Sequence, residues 1–329
     1  MRLVAFVLLF AIFAVEISWS QTEIVSRDVQ FTNHEISFHG IVTEPRTPGS
    51  YPAVVLVGGS GPSAATELQA IADFFAQNGF VALAYDKRGS GTSGGSWTKS
   101  SLSDLASDVL EAIKFVRHQP SVDSMQIGLW SISQGGWVAG AAAPRCKELS
   151  FVIVVTGGGA TPRVVEEYGY RNRMKHGGVA DSMQAVAMKL IRQYFDYLET
   201  GKNRSMLEKS IAEAKNQSWY ASIGIERVLP SDKFCAKWSW VPTYNPKDDI
   251  QHITIPVLVL LGGRDIFTPY QETESGWREG LTLAKNPNFK IKTFPDAGHG
   301  ITIGDHKSRK YAPDYFDTMR EWLTTIIKK

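Results

Sequence analysis

The sequence predicts an α/β protein in which a mostly parallel sheet is covered by helices on both faces. Short apolar segments typical of strands alternate with segments whose apolar residues recur at helical spacing. The strand segments are nearly continuous in apolar residues, which is typical of strands buried on both faces. With 329 residues and a hydrophobic fraction of 43%, the chain is long enough for one large domain that carries an insertion.

The first twenty residues differ from the rest and predict a cleaved secretory signal peptide. Met1-Arg2 is positively charged, and an almost unbroken apolar run follows from Leu3 to Val15. This run is too short to span a bilayer comfortably. Ser18-Trp-Ser20 then offers small residues at both positions that a signal peptidase reads. We therefore expect a secreted or periplasmic protein that starts at Gln21; the alternative is an uncleaved N-terminal anchor.

Composition argues against several classes of function. The net charge is +2 and charged residues make up 21% of the chain, so no basic stripe or acidic tail predicts a nucleic-acid partner. No group of Cys and His residues has metal-ligand spacing, and we expect neither a metal nor an organic cofactor. In an exported protein Cys146 and Cys235 can pair; the alternative is two buried free thiols.

The first third of the chain predicts a hairpin followed by alternating strands and helices. Residues 24–45 alternate apolar and polar side chains in two short runs, which predicts a β-hairpin. Apolar runs and helical spacing then predict a strand over 52–57, a helix over 68–75, a strand over 80–85 and a helix over 102–116. Asn78-Gly79 marks the end of the first of these helices.

The segment Ile127-Gly-Leu-Trp-Ser-Ile-Ser133-Gln-Gly-Gly136 is the most informative part of the chain. An apolar strand runs into a turn of small residues that holds one serine, and a helix follows at once. This is the context that a nucleophile elbow requires. Because the turn is tight, the residues two before and two after the nucleophile must be small, and here they are Ser131 and Gly135. Ser131 replaces the glycine that usually stands first in this motif.

The alternation of strands and helices continues with a strand over 151–155 and stops at Thr161. Apolar residues between Met183 and Leu198 recur at helical spacing, and a weaker helical pattern covers 205–215. Strands over 255–261 and 288–294 and a closing helix over 316–326 then resume the pattern. The predicted organisation is a signal peptide over 1–20, a core over 21–160 and 247–329, and a helical insertion over 161–246.

Three residues follow predicted strands in an order that carries chemical meaning. Ser133 follows the elbow strand, Asp265 lies in the loop Gly262-Gly-Arg-Asp265, and His299 lies in the loop Asp296-Ala-Gly-His299-Gly300. Function in parallel α/β sheets gathers at the carboxyl ends of strands, and Ser…Asp…His is the chain order of the α/β-hydrolases. Asp296 and Glu272 are alternatives for the acid, and His306 is the alternative for the base.

The chemistry of ester cleavage needs this set of residues. A serine hydroxyl is a weak nucleophile at neutral pH, so a histidine must take its proton, and a carboxylate must orient that histidine. The oxyanion that develops on the substrate needs N–H donors. We expect them to be the backbone N–H of Gln134, after the nucleophile, and that of Ser60, in the glycine-rich loop after the strand over 52–57. We expect Arg88, in the loop Asp86-Lys-Arg88-Gly, to pair with carboxylates or carbonyls and so to hold the loops beneath the site.

On these residues the chain resembles the α/β-hydrolase superfamily. It is most similar in pattern to the serine-aminopeptidase-like and monoglyceride-lipase-like branch, which includes many bacterial esterases. The motifs are Val55-Leu-Val-Gly-Gly-Ser60-Gly-Pro, Tyr85-Asp-Lys-Arg-Gly-Ser-Gly-Thr-Ser93, Ser131-Ile-Ser133-Gln-Gly-Gly136, Pro256-Val-Leu-Val-Leu-Leu-Gly-Gly-Arg-Asp265 and Ala297-Gly-His299. The resemblance implies a helical cap over the site, which matches the insertion. Gly58 departs from it, since the family often has His there.

The sequence therefore predicts a serine hydrolase that acts on carboxylic esters of small molecules. One alternative is an exopeptidase, in which Glu166-Glu167 hold the substrate ammonium, or an acyltransferase with the same triad. Another is a binding module without catalysis, although no member of the triad is missing. The aromatic residues near the end of the insertion either line an acyl pocket or form the core of the cap; they are Trp219, Tyr220, Phe234, Trp238, Trp240 and Tyr244.

Overall fold

The computed structural model describes residues 22–223, 240–304 and 310–327. The predicted signal peptide over 1–20 lies outside the described residues, as do Cys235, the alternative base His306, and two of the aromatic residues, Phe234 and Trp238. Among the described residues, every helix is too short or too polar to cross a membrane.

Eight strands form one sheet in the order β1-β2-β4-β3-β5-β6-β7-β8. The strands are β1 (Ile24–Asn33), β2 (Ile36–Pro45), β3 (Tyr51–Val57), β4 (Val81–Tyr85), β5 (Val122–Ile132), β6 (Leu149–Val155), β7 (Val257–Gly262) and β8 (Phe289–Phe294). The predicted hairpin β1–β2 is antiparallel, and β2 pairs with β4 in the same sense. From β4 to β8 every pairing is parallel, which confirms the predicted mostly parallel sheet.

Helices connect the strands and cover the sheet. They are α1 (Gln69–Gln77), α2 (Leu102–Arg117), α3 (Gln134–Ala142), α4 (Pro162–His176), α5 (Asp181–Thr200), α6 (Arg204–Ala214), α7 (Tyr220–Ile223), α8 (Trp240–Thr243), α9 (Lys247–Ile250), α10 (Tyr270–Leu283) and α11 (Tyr315–Ile326). A short hairpin, β9 (Thr302–Ile303) with β10 (Lys310–Tyr311), precedes α11. The sequence pattern did not predict this hairpin.

The sheet is buried on both faces, as its apolar strands require. Val55 and Val57 of β3 belong to the apolar cluster that includes residues of α2, α3 and α10. Val54 and Leu56, the alternate residues of the same strand, belong to the cluster that includes residues of α1 and α11. Because successive side chains of a strand point to opposite faces, each face has its own layer of helices.

The described residues between β6 and β7 form the helices α4 to α9 and the loops that join them, without a strand. Tyr194, Phe195 and Leu198 of α5 form a third apolar cluster with residues of α4, α6 and α7. Met183 and Val186, at the start of the helical stripe, are exposed, so the buried face of α5 begins at Ala187. Trp219 and Tyr220 are buried inside this cluster.

Candidate active site

Ser133 stands alone between the last residue of β5 and the first residue of α3. Its backbone has φ 56° and ψ −122°, a conformation that a residue with a Cβ adopts only at a cost. The Ser133 N–H donates to Val155 O at 2.9 Å, and Gly136 N–H donates to Ser133 O at 2.9 Å. These bonds hold the serine at the apex of a sharp strand-to-helix turn, as the elbow pattern predicts.

The elbow depends on small residues because other backbone segments pass close to it. A Cβ on Gly135 would lie 2.5 Å from Val57 O, and one on Gly157 would lie 2.0 Å from Ser133 O. Ser131, where a glycine is usual, is fully buried, and its hydroxyl donates to Ile153 O at 3.2 Å. Since its polar atom has a partner, the substitution leaves no unsatisfied group.

The imidazole of His299 and the carboxylate of Asp265 are in contact. Nδ1 of His299 lies 2.8 Å from Oδ2 of Asp265, which follows β7 and is 3% exposed. The other carboxylate oxygen, Oδ1, accepts from the N–H groups of Phe267 at 2.8 Å and Thr268 at 3.0 Å. With its Nδ1 proton directed at Asp265, a neutral His299 keeps Nε2 as an acceptor.

The two alternative acids lie elsewhere. Asp296 is largely exposed and forms an ion pair with Arg264 at 2.6 Å. Glu272 is exposed in the first turn of α10. Of the three carboxylates that the sequence offered, Asp265 is the one that the fold brings to His299.

Ser133 and His299 line one cavity of about 830 Å³ above the carboxyl ends of β3 and β5. No hydrogen bond joins the Ser133 hydroxyl to His299 in the part of the chain that the structure describes. Catalytic hydrogen bonds often tighten only when substrate binds, so the lack of this bond is compatible with proton transfer from Ser133 to His299. The apolar part of the lining consists of Leu68, Ile132, Trp137, Val165, Trp240, Val241 and Phe267.

The two predicted oxyanion donors also line this cavity. Gln134 is the first residue of α3, so its N–H lies at a helix N-terminus, where donors are free. Ser60 lies in the loop after β3, which passes so close to the elbow that a Cβ on Gly59 would lie 3.3 Å from Ser133 Cβ. Within the described ranges, the N–H groups of Ser60 and Gln134 have no protein acceptor.

Arg88 has the structural role that we expected. Its Nε and Nη2 donate to the two oxygens of Asp108 at 2.6 Å each, and both side chains are buried. Further bonds reach the hydroxyl of Ser100 at 2.9 Å and the carbonyl of Asp104 at 3.0 Å. The guanidinium thus ties the loop after β4 to α2.

Sequence reasoning missed the neighbouring Lys87. This side chain is buried, and its Nζ donates to Gly59 O at 2.7 Å and to Gln134 Oε1 at 2.5 Å. Burial lowers the pKa of Lys87 to about 7, against the opposing effect of Asp108. A lysine directly after a buried strand was the available signal.

The adjacent residues Glu166 and Glu167 of α4 lie in different surroundings, as their helical spacing requires. Glu166 lines the cavity together with Arg173. Burial raises the pKa of Glu166, and Arg173 opposes this shift. Glu167 instead forms ion pairs with Arg163 at 3.4 Å and Arg192 at 3.3 Å.

Helix α4 also contacts the loop that carries the acid. The hydroxyl of Tyr168 donates to Asp265 O at 2.8 Å, and Asn172 Nδ2 donates to Ile266 O at 3.0 Å. Of the aromatic residues near the end of the insertion, Trp240 lines the cavity. Trp219 and Tyr220 instead belong to the apolar cluster of the helices, so the segment is divided between the cavity wall and that cluster.

Comparisons with known proteins agree with the fold. Residues 50–221 match the family described as "Serine aminopeptidase, S33", and residues 231–327 match the dienelactone hydrolase family. Esterase EstD of Thermotoga maritima is 25% identical over 295 residues, which are 84% of this chain and 62% of that protein. The chain thus spans less than two thirds of the length of this relative.

Two further comparisons involve shorter or more distant similarity. The polyketide transferase claH of Penicillium crustosum is 31% identical over 158 residues, 47% of each chain. The structure of the Pyrococcus furiosus esterase Pf2001 has a TM-score of 0.60 over 93% of this chain and 94% of that chain. Because the two sequences are only 18% identical, this likeness shows a shared fold alone. Because the first family covers more than half of the residues, the chain belongs to the serine aminopeptidase S33 family of the α/β-hydrolase superfamily.

Proposed function

We propose that this protein is a serine hydrolase that cleaves carboxylic esters through an acyl-enzyme. Two observations together carry the proposal. Ser133 has a positive φ on an elbow that lines the same cavity as His299. Nδ1 of His299 lies 2.8 Å from Oδ2 of Asp265. This arrangement supports assigning Ser133 as the nucleophile, His299 as the base and Asp265 as the orienting carboxylate. The name of the EstD relative supports ester cleavage.

In the proposed reaction, His299 Nε2 accepts the proton of Ser133 as its Oγ attacks the ester carbonyl carbon. The carbonyl oxygen becomes an oxyanion that accepts from the N–H groups of Ser60 and Gln134. The intermediate collapses, and the alcohol leaves with the proton from His299. Water then attacks the acyl-enzyme, His299 takes one of its protons and returns it to Ser133, and the acid departs. An acceptor alcohol in place of water makes the same steps an acyl transfer.

The lining of the cavity favours substrates with an apolar acyl group. Trp137, Val165, Trp240 and Val241 belong to the apolar part of the wall, and their burial of an acyl chain contributes about 25 cal/mol per Å². The volume of about 830 Å³ is within the range of small-molecule sites.

The test is hydrolysis of p-nitrophenyl esters from acetate to decanoate. We expect turnover by the wild type and a loss of ~10⁴-fold or more in Ser133→Ala. Ser131→Ala is the matched control, because this hydroxyl lies in the same elbow but donates to Ile153 O. Full activity of Ser133→Ala, or no ester turnover by the wild type, would contradict the proposal.

A second candidate function is removal of N-terminal residues from short peptides. The observation in its favour is Glu166, a carboxyl that lines the cavity and forms no ion pair among the described residues. A carboxylate in this position attracts the ammonium of a substrate. Hydrolysis of aminoacyl p-nitroanilides that falls in Glu166→Gln and not in the control Glu167→Gln would favour this function. Failure of the wild type to cleave any anilide would remove it.

A further inference from the structure

We propose that Lys87 is a positioning residue for the oxyanion hole. Its ammonium joins the loop after β3 to the first residue of α3, so that the N–H groups of Ser60 and Gln134 converge on one point. The inference rests on the proposed function, since it assigns a role in stabilising the oxyanion. It concerns a residue that does not touch the reacting atoms and acts through the two donors.

Lys87 lies two residues beyond β4, and only 8% of it is exposed. Lysine is among the residues least often found in the interior, and a buried ammonium needs partners for its donors. Two donors are directed at Gly59 O, at 2.7 Å, and Gln134 Oε1, at 2.5 Å. The ring of Trp97 lies beside the ammonium, with its centroid 5.5 Å from Nζ. The side chain is therefore held between the two segments that carry the oxyanion donors.

The bond to Gly59 O acts directly on one of these donors. Gly59 O and the N–H of Ser60 belong to the same peptide unit, which is planar and trans, so the two groups point in opposite directions. Holding the carbonyl toward the buried ammonium therefore directs the N–H of Ser60 away from it. A hydrogen-bond donor on the carbonyl also polarises the peptide, which strengthens the N–H as a donor.

The loop after β3 is held mainly by the loop after β4. Ser63 N–H donates to Ser90 Oγ at 3.1 Å, and Ala65 N–H donates to Asp86 Oδ1 at 2.7 Å. Gly58 leaves room for this arrangement, because a Cβ there would lie 2.4 Å from Ser63 Oγ. Gly61 adopts φ +85°, which suits glycine. Lys87 binds this loop twice, because its backbone N–H also donates to Ser63 O at 2.9 Å. It thus contacts residues on both sides of Ser60, Gly59 and Ser63.

The experiment compares substrate binding with oxyanion binding in the full chain. Lys87→Met keeps the length and apolar stem of the side chain and removes the ammonium. A trifluoromethyl ketone with the preferred acyl chain is the probe, because Ser133 adds to it to form an oxyanion in the hole. Lys99→Met is the matched control, since Lys99 lies in the same connection between β4 and α2 as Lys87 but is exposed. The kcat, the KM, the inhibition constant and the thermal midpoint are measured for each variant.

We expect Lys87→Met to lower kcat by about 10²-fold and to weaken trifluoromethyl ketone binding by a similar factor, with KM changed less than ~3-fold. An unchanged kcat would overturn the inference. So would a lower thermal midpoint with an unchanged ratio of inhibition constant to KM, which indicates a structural role alone. If Lys87→Met does not fold, Lys87→Gln is measured in the same way. Activity retained by Ser133→Ala would instead refute the proposed function, so the two failures are distinguishable.

Discussion

The imidazole of His299 and the carboxylate of Asp265 lie 2.8 Å apart although the two residues are 34 positions apart in the chain. Asp265 follows β7 and His299 follows β8, and these two strands are parallel neighbours. Their carboxyl ends therefore deliver the acid and the base to the same edge of the sheet. Asp265 is almost completely buried, and its second oxygen accepts two backbone N–H groups, so its orientation leaves one oxygen for the imidazole.

Asp265→Asn should lower kcat for ester hydrolysis by about 10⁴-fold, because an amide no longer fixes the tautomer of His299 or stabilises its cation. The fold should be retained, since the side chain keeps its shape. Steady-state kinetics with a p-nitrophenyl ester measure the effect. Asp296→Asn is the control, since Asp296 pairs with Arg264 in solvent. Equal activity of the two variants would remove Asp265 from the site.

Gly135→Ala should abolish activity and destabilise the protein, because its Cβ would lie 2.5 Å from Val57 O. Gly140 of the same helix provides the control, since the nearest atom to an added Cβ belongs to Trp277 at 4.0 Å. Gly140→Ala should raise the free energy of unfolding by about 0.5–1 kcal/mol through helix propensity. Urea denaturation and ester turnover are measured for both. Similar stability and similar ester turnover of the two variants would show that the elbow is not crowded at Gly135.

Asp108→Asn should lower the free energy of unfolding by about 3–5 kcal/mol, because it leaves the buried guanidinium of Arg88 without a compensating charge. The double variant Arg88→Met/Asp108→Leu should lose less than Asp108→Asn alone, since both charges are gone. Urea denaturation tests this. The control is Glu274→Gln, which removes the half-buried partner of the exposed Arg278 on the surface of α10 and should change stability by less than ~0.5 kcal/mol. A double variant at least as unstable as Asp108→Asn would contradict the prediction.

His39 should make a small pH-dependent contribution to stability. The hydrogen bond to Asp28 at 2.8 Å raises the pKa of His39 above 6.5, with Asp86 adding to the shift and burial opposing it. A raised pKa in the folded state means that the stabilisation is complete below pH 6.5 and is lost as the pH rises through the folded-state pKa. It should be below about 1 kcal/mol, because Asp28 is open to solvent.

The measurement is the difference in free energy of unfolding between the wild type and His39→Gln at several pH values from 5 to 8.5. The difference should be largest at the acidic end and shrink as the pH rises. A difference that grows with pH would mean that the neutral imidazole, rather than the cation, is the stabilising form.

Local apolar patterns predicted the strands of the core well because these strands are buried on both faces and are nearly continuous in apolar residues. The elbow strand was the exception, since β5 begins at Val122 and not at Ile127, where the apolar elbow segment begins. The residues between these two are polar or exposed and carry no apolar signal. The order of strands is not a local property, because it depends on pairing between distant residues such as Val257 and Phe289.

The same difference between local patterns and long-range contacts applies to the predicted site residues. Ser133, Asp265 and His299 were identifiable because each follows a strand, and the rule that carboxyl ends of parallel strands meet at one edge brings them together. The sequence favoured Asp265 over Asp296 because of its place after a strand, and the structure adds its burial and its contact with His299, which no local pattern gives. Lys87 was missed because its role comes from two bonds across the fold, to Gly59 and Gln134.

The role of Ser133 as the nucleophile is tested by labelling with a fluorophosphonate, followed by peptide mass spectrometry. We expect a single adduct on Ser133, loss of ester hydrolysis in step with labelling, and no adduct in Ser133→Ala. An adduct on another residue with Ser133 unmodified, or a protein that hydrolyses esters at full rate after Ser133 is blocked, would contradict it.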